Sequence, residues 1–173
     1  VTRRAKRSRE ETRSILQLGL NQKVYLIAFA YLELKDSSQE RVQEIAETVF
    51  LYKHPLSYQI SNGICLDGFL LNFEDVVAAV DGVITKPGYG IVADCLAHGT
   101  PMIYSDRGFF PEYDVLVREM SQHLATVHLS SQDLYSGRWK TAIEQLQEQP
   151  RAIPSLPLNG AEVCARTILS FIE

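Results

Sequence analysis

The sequence predicts an α/β fold: a doubly wound, mostly parallel sheet of about six strands with helices on both faces. Two patterns carry this expectation. Short apolar runs of strand length alternate with segments of helical spacing along the chain, and those runs are apolar at consecutive positions, as in strands covered on both faces. The size agrees. With 173 residues, 46% apolar and 22% charged, one domain can bury roughly 70% of its unfolded surface without a disulfide or metal staple.

The elements follow in order. Ser8 and Glu11 form a capping-box pattern for a short helix stopped at Gly19, and Val24 to Phe29 is the first strand. Ser37 or Ser38 caps a helix to about Glu47, Val49 to Tyr52 is the second strand, and Gly63 to Leu66 the third. Asn72 caps a helix carrying Val76, Val77 and Val80. Val83 to Thr85 is a strand, Pro87 to Gly90 a turn, and Ile91 to His98 a helix stopped by Gly99. Pro101 to Tyr104 is the next strand, and Pro111 opens a helix with Glu112 and Asp114 in its first turn. Ala125 to Leu129 is the last strand. Ser130 or Ser131 caps a helix to about Gln147, and after a Pro-containing loop Asn159 caps a final helix, Ala161 to Ile172.

Charge is unevenly placed. Residues 1 to 13 carry six basic side chains against Glu10 and Glu11, while the whole chain is −4. Without interleaved aromatics or a recognition motif, this run reads as a solvated basic linker over 1–9 and not as a nucleic-acid arm. Residues 10–173 then form a single domain. Cys65, Cys95 and Cys164 lack metal-ligand spacing, so they are expected as reduced, mostly buried thiols with no metal site. No stretch has the length and apolarity of a membrane span, which leaves a soluble cytoplasmic protein as the expectation.

In open α/β sheets ligands sit beyond the carboxyl ends of strands, so the loops starting at Ala30, Thr85 and Ser105 are the candidates for chemistry. In the second, Gly88 and Gly90 permit a tight turn, and free amides at residues 90 to 92 at a helix N-terminus favour phosphate. Taken alone, two glycines are no more than a βα turn needs. Gly88 to Ala93 also fits G-x-G-x-x-A, with Asp106 as a ribose carboxylate, but a dinucleotide fingerprint follows the first strand and this loop follows about the fourth. An NAD-binding domain is therefore a minor alternative. Asp94, on the same helix, suits either a ribose diol or the helix dipole. Asp106, Arg107 and Glu112 suit either sugar and phosphate or an exposed ion pair. No histidine has a catalytic partner at sequence spacing.

The stretch from Asp81 through Lys86-Pro87-Gly88-Tyr89-Gly90 and Asp94 to Pro101 resembles the donor-binding signature of GT-B glycosyltransferases, particularly the MurG-like C-terminal domain. Arg107, Phe109-Phe110, Glu112, Asp133-Leu134, Gly137-Arg138-Trp139 and Asn159 to Glu162 are similar to the glycosyltransferase-like half of arabinokinases. This resemblance implies a Rossmann-like half that binds a nucleoside-diphosphate sugar, with uridine as the expected nucleoside, and uses no cofactor. By it, Gly88 and Gly90 hold diphosphate, Asp94 holds ribose, Glu112 with Arg107 nearby is the candidate for the donor sugar, and Lys86, Pro87 and Tyr89 complete the donor-binding set. Leu66 to Phe69 supports the base. Transfer would proceed without metal, and the acceptor-binding N-terminal domain, in cis or as a separate subunit, would bring the catalytic base. Phe29-Ala30-Tyr31 replaces the family's glycine-rich turn, and Asp94 its more frequent Glu. A non-catalytic nucleotide-sugar-binding or partner-interaction module is the alternative.

Overall fold

Six strands lie in the order β3-β2-β1-β4-β5-β6 in this computed structural model, which describes residues 2–151 and 156–172. The strands are β1 (Lys23–Ala28), β2 (Thr48–Tyr52), β3 (Gly63–Cys65), β4 (Gly82–Thr85), β5 (Met102–Ser105) and β6 (Thr126–Leu129). Every pairing is parallel, from Lys23 beside Thr48 at one end of β1 to Ala28 beside Thr85 at the other. The expected mostly parallel sheet is thus wholly parallel, with its order reversing between β1 and β4.

Period-two alternation sends neighbouring residues to opposite faces, and each face has its own core. Tyr25, Ile27, Phe50, Ile84 and Ile103 point to one side, where they meet Val42 of α2 (Asp36–Gln43), Leu134 of α6 (Ser131–Tyr135) and Ile143 of α7 (Lys140–Gln147). Trp139 fills this core, its edge against Phe50 and its indole N–H on the Leu134 carbonyl at 2.9 Å. Val24, Leu26, Leu51, Val83 and Met102 point to the other side. There they meet the residues after α1 (Arg9–Ile15), together with α3 (Phe73–Ala79), α4 (Tyr89–His98) and α5 (Tyr113–His123). The last helix, α8 (Gly160–Leu169), buries none of its residues. No helix among the described residues is long and apolar enough to cross a membrane.

Several expectations change. The helix expected from Ser130 to Gln147 is two helices, because Gly137 adopts φ +71 and passes so close to α2 that a Cβ there would lie 2.2 Å from the Ser38 carbonyl. Only a glycine fits that approach. Pro111 precedes α5, and Glu112 is its N-cap. Of the thiols only Cys95 is buried, while Cys65 and Cys164 are exposed. Part of the loop before Asn159 lies outside the described residues.

The largest correction concerns the basic run. It is laid along α3 and α4 as a strap in which four of the six basic side chains meet an aspartate. Arg3 binds Asp94, Arg7 binds Asp75, and the Lys6 and Arg7 amides donate to the same Asp75 carboxylate. Ala5 donates to His98, and Ser8 and Glu11 form the reciprocal cap of α1. Arg9 and Arg13 then converge on Asp81, just before β4. Arg13 is fully buried; its other donors point at the carbonyls of Ala79, Gly19, Leu20 and Gln22. Three aspartates spaced along the sequence thus receive Arg3, Arg7, Arg9 and Arg13, while Arg4 and Lys6 stay exposed.

Burial pushes the Asp81 carboxyl up, but the Val24 amide and the two guanidinium groups outweigh it and hold the group below its ordinary range. Asp75 is likewise held low, by the Arg7 and Lys6 amides working against desolvation. For depressed acids the stabilisation is complete above the unfolded value of about 3.9 and disappears as pH falls through the folded values. Urea unfolding followed against pH should show stability declining from near pH 4 downward; a flat profile to pH 3 contradicts this. Removing one partner of a buried pair strands the other charge, so Arg13→Ala should cost about 3–5 kcal/mol in the same assay.

Candidate functional site at the carboxyl edge of the sheet

Where strand order reverses, the carboxyl ends of β1 and β4 diverge and leave a crevice, the usual ligand position in open α/β sheets. Here it has a volume of about 380 Å³. Its floor is apolar, with Leu26, Phe29, Leu66, Phe73 and Ile91, and Lys53, His54 and Lys86 stand among its walls. Lys86, Leu66 and the α4 entry, read separately in the sequence, therefore meet at one place. Phe69 does not line the crevice; it packs against the core beside α3.

The chain leaves β4 through Lys86 and Pro87 and enters α4 at Gly88, an N-cap with no side-chain cap. Val92 already donates to the Gly88 carbonyl at 3.0 Å, so the amides free for a ligand are those of Tyr89, Gly90 and Ile91, one residue earlier than expected. Arg107 crosses this mouth from the loop after β5. Its Nη1 donates to the Pro87 carbonyl at 2.7 Å, and its guanidinium lies 4.1 Å from the centre of the Phe110 ring. Phe110 in turn meets Tyr89 edge-on. Desolvation and then the exposed Glu112 carboxylate raise the Tyr89 phenol above its ordinary value. The mouth thus opens beyond the carboxyl edge, and the side chain crossing it is a cation.

Asp94 has another partner. It is 1% exposed, and both its carboxylate oxygens face the Arg3 guanidinium, with Arg3 also stacked 5.3 Å from the centre of the Phe73 ring. The ribose role implied for Asp94 meets a carboxylate already neutralised by the strap. Its neighbour His98 is held between the Ala5 amide and the Asp94 carbonyl.

Sequence spacing also concealed a His–acid contact. His128 Nε2 lies 2.8 Å from Asp106, whose second oxygen accepts from the Ser131 amide at 2.8 Å. The Ser131 amide and then His128 hold the Asp106 carboxyl below its ordinary range. The two residues are 22 apart in the chain, but His128 lies on β6 and Asp106 directly follows the adjacent parallel β5, and only the β5–β6 register reveals them. Asp106 thereby anchors the loop that carries Arg107. Among the described residues no three His, Cys, Asp or Glu side chains group as metal ligands.

The fold is that of one half of the GT-B glycosyltransferases. The calicheamicin glycosyltransferase CalG4 superposes with a TM-score of 0.55 at 15% identity, over 76% of this chain and 36% of that one. The glycosyltransferase VinC, solved in complex with DTDP, superposes with a TM-score of 0.55 at 12% identity, over 76% and 34%. In sequence, L-arabinokinase of Arabidopsis thaliana is 28% identical over 99 residues, which is 54% of this chain and 9% of that protein. The chain therefore spans about a third of these solved structures and under a tenth of the curated relative. No model of a known protein family matches it.

The two glycines differ in a testable way. A Cβ on Gly90 meets open space, whereas one on Gly88 would lie 2.7 Å from Arg107 Nη1. Gly90→Ala should raise stability by about 0.5–1 kcal/mol in chemical denaturation, as expected for a helical position. Gly88→Ala, at ordinary extended dihedrals, should leave stability within about 0.5 kcal/mol and displace the guanidinium. A crystal structure of Gly88→Ala with Arg107 still on the Pro87 carbonyl contradicts the second expectation.

Proposed function

We propose that this chain is the donor-binding half of a glycosyltransferase, MurG-like in its use of a uridine diphosphate sugar. The observation that carries the reading is the junction of an apolar crevice with an uncapped ten-residue helix crossed by Arg107. A nucleoside fits the crevice beside Leu66. Its diphosphate follows Lys86 to the free amides of Tyr89, Gly90 and Ile91, where the helix dipole and Arg107 supply positive potential. The sugar then extends toward Tyr89 and Glu112.

In the transfer, the bond between the anomeric carbon and diphosphate breaks, and negative charge grows on the leaving phosphate. Preorganised amides and Arg107 stabilise that charge without a metal ion. The acceptor oxygen takes the anomeric carbon, and its proton passes to a base on an acceptor-binding half, in cis or as a separate subunit. Asp94 is no part of this proposal, because Arg3 already occupies its carboxylate. The same occupancy, with no glycine turn after β1, favours a second reading in which the module binds nucleotide sugar without turning it over.

Calorimetric titration of the chain with UDP and UDP-sugars should show saturable binding. Arg107→Ala should weaken it about 10–100-fold, the usual loss for a hydrogen bond to a charged group. Absence of both heat and thermal shift at millimolar UDP overturns the proposal. Donor hydrolysis or transfer on adding the acceptor half separates the enzyme from the binding module.

A further inference from the structure

Most arginines of this protein are paired with acids or carbonyls, but the two lysines and the histidine of the crevice are not. Lys53 and His54 close β2, Lys86 closes β4, and β1 lies between them. Among the described residues, none of these three side chains has a hydrogen-bond or ion-pair partner, and no carboxylate lines the crevice. His54 is instead held by its backbone, whose amide donates to Asp67 at 3.2 Å. That contact ties the end of β2 to the turn at Leu66–Gly68, so the wall of Lys53 and His54 and the apolar floor are fixed to one another.

An apolar floor beneath two unpartnered lysines and a histidine selects a ligand with an uncharged planar body and an attached anion. Free pyrophosphate has the charge without the body, and a nucleoside has the body without the charge. We infer that Lys53 and His54 contact the nucleoside monophosphate portion of the ligand and determine specificity for it, while Lys86, Arg107 and the α4 amides hold the terminal phosphate. This rests on the nucleoside-diphosphate reading of the site. It adds a second set of contacts from the other side of β1, which neither the glycine turn nor its helix supplies.

The 173-residue chain is titrated calorimetrically with UDP, UMP and pyrophosphate, and thermal melts verify each variant's fold. Lys53→Met and His54→Ala should each weaken UDP and UMP about tenfold and change pyrophosphate by less than about twofold; Lys53→Arg should restore the loss. Lys86→Met should weaken pyrophosphate and UDP. If the unaltered chain binds UDP and the folded Lys53 and His54 variants bind UDP and UMP as tightly, this inference is wrong and the site reading survives. Equal losses for pyrophosphate and UMP also overturn it, since the two residues would then be a general phosphate patch. If the unaltered chain binds neither UDP nor pyrophosphate, the site reading fails and this inference with it.

Discussion

The Asp81 carboxylate accepts from Arg9, Arg13 and the Val24 amide, and that cluster sets where the two central strands begin. Val24 belongs to β1 and Asp81 immediately precedes β4, so the contact holds the two strands in register from Tyr25 beside Gly82 onward. A parallel pair has no hairpin to impose register, and crossover connections leave it free to slip. A carboxylate at the amino end supplies the missing constraint. The carboxyl ends of the same strands then fall at Ala28 and Thr85, which is where the crevice opens.

The strap extends this logic from the sheet to its helices. Asp75 receives two backbone amides and a guanidinium, and Asp94 receives Arg3, so α3 and α4 are joined through a segment that precedes both. Breaking a buried pair leaves an uncompensated charge, which makes the arrangement sensitive to loss of either partner. The pairing also takes up four of the six basic side chains of the run. Positive potential for an anion comes instead from Lys53, Lys86 and Arg107 at the far edge, on a protein whose net charge is −4.

Much of this was readable from residue order. All six strands were legible, and most sharply the inner ones β1, β2, β4 and β5, because strands buried on both faces leave few polar positions to blur the pattern. The β4–α4 turn was readable because Pro87, Gly88 and Gly90 are local signals, although the free amides fall one residue early. What escaped depends on contacts between distant segments. A run of arginines looks alike whether solvent or buried aspartates receive it, and Asp75, Asp81 and Asp94 announce nothing by spacing. The helix break at Gly137 comes from the Ser38 carbonyl, about a hundred residues away, which no helical pattern encodes. His128 and Asp106 meet through strand register, and Lys53 and His54 join Lys86 only because β1 separates β2 from β4.

The three thiols divide sharply by environment. Burial drives Cys95 far above its ordinary value and keeps it unreactive, while Cys65 is exposed at the end of β3, one residue before the Leu66 wall of the crevice. A mild alkylating fluorophore would therefore label Cys65 and spare the core, with Cys164 on α8 as the background site. The chain thus carries an exposed thiol one residue from the crevice lining, where occupancy can be followed optically without engineering a new cysteine.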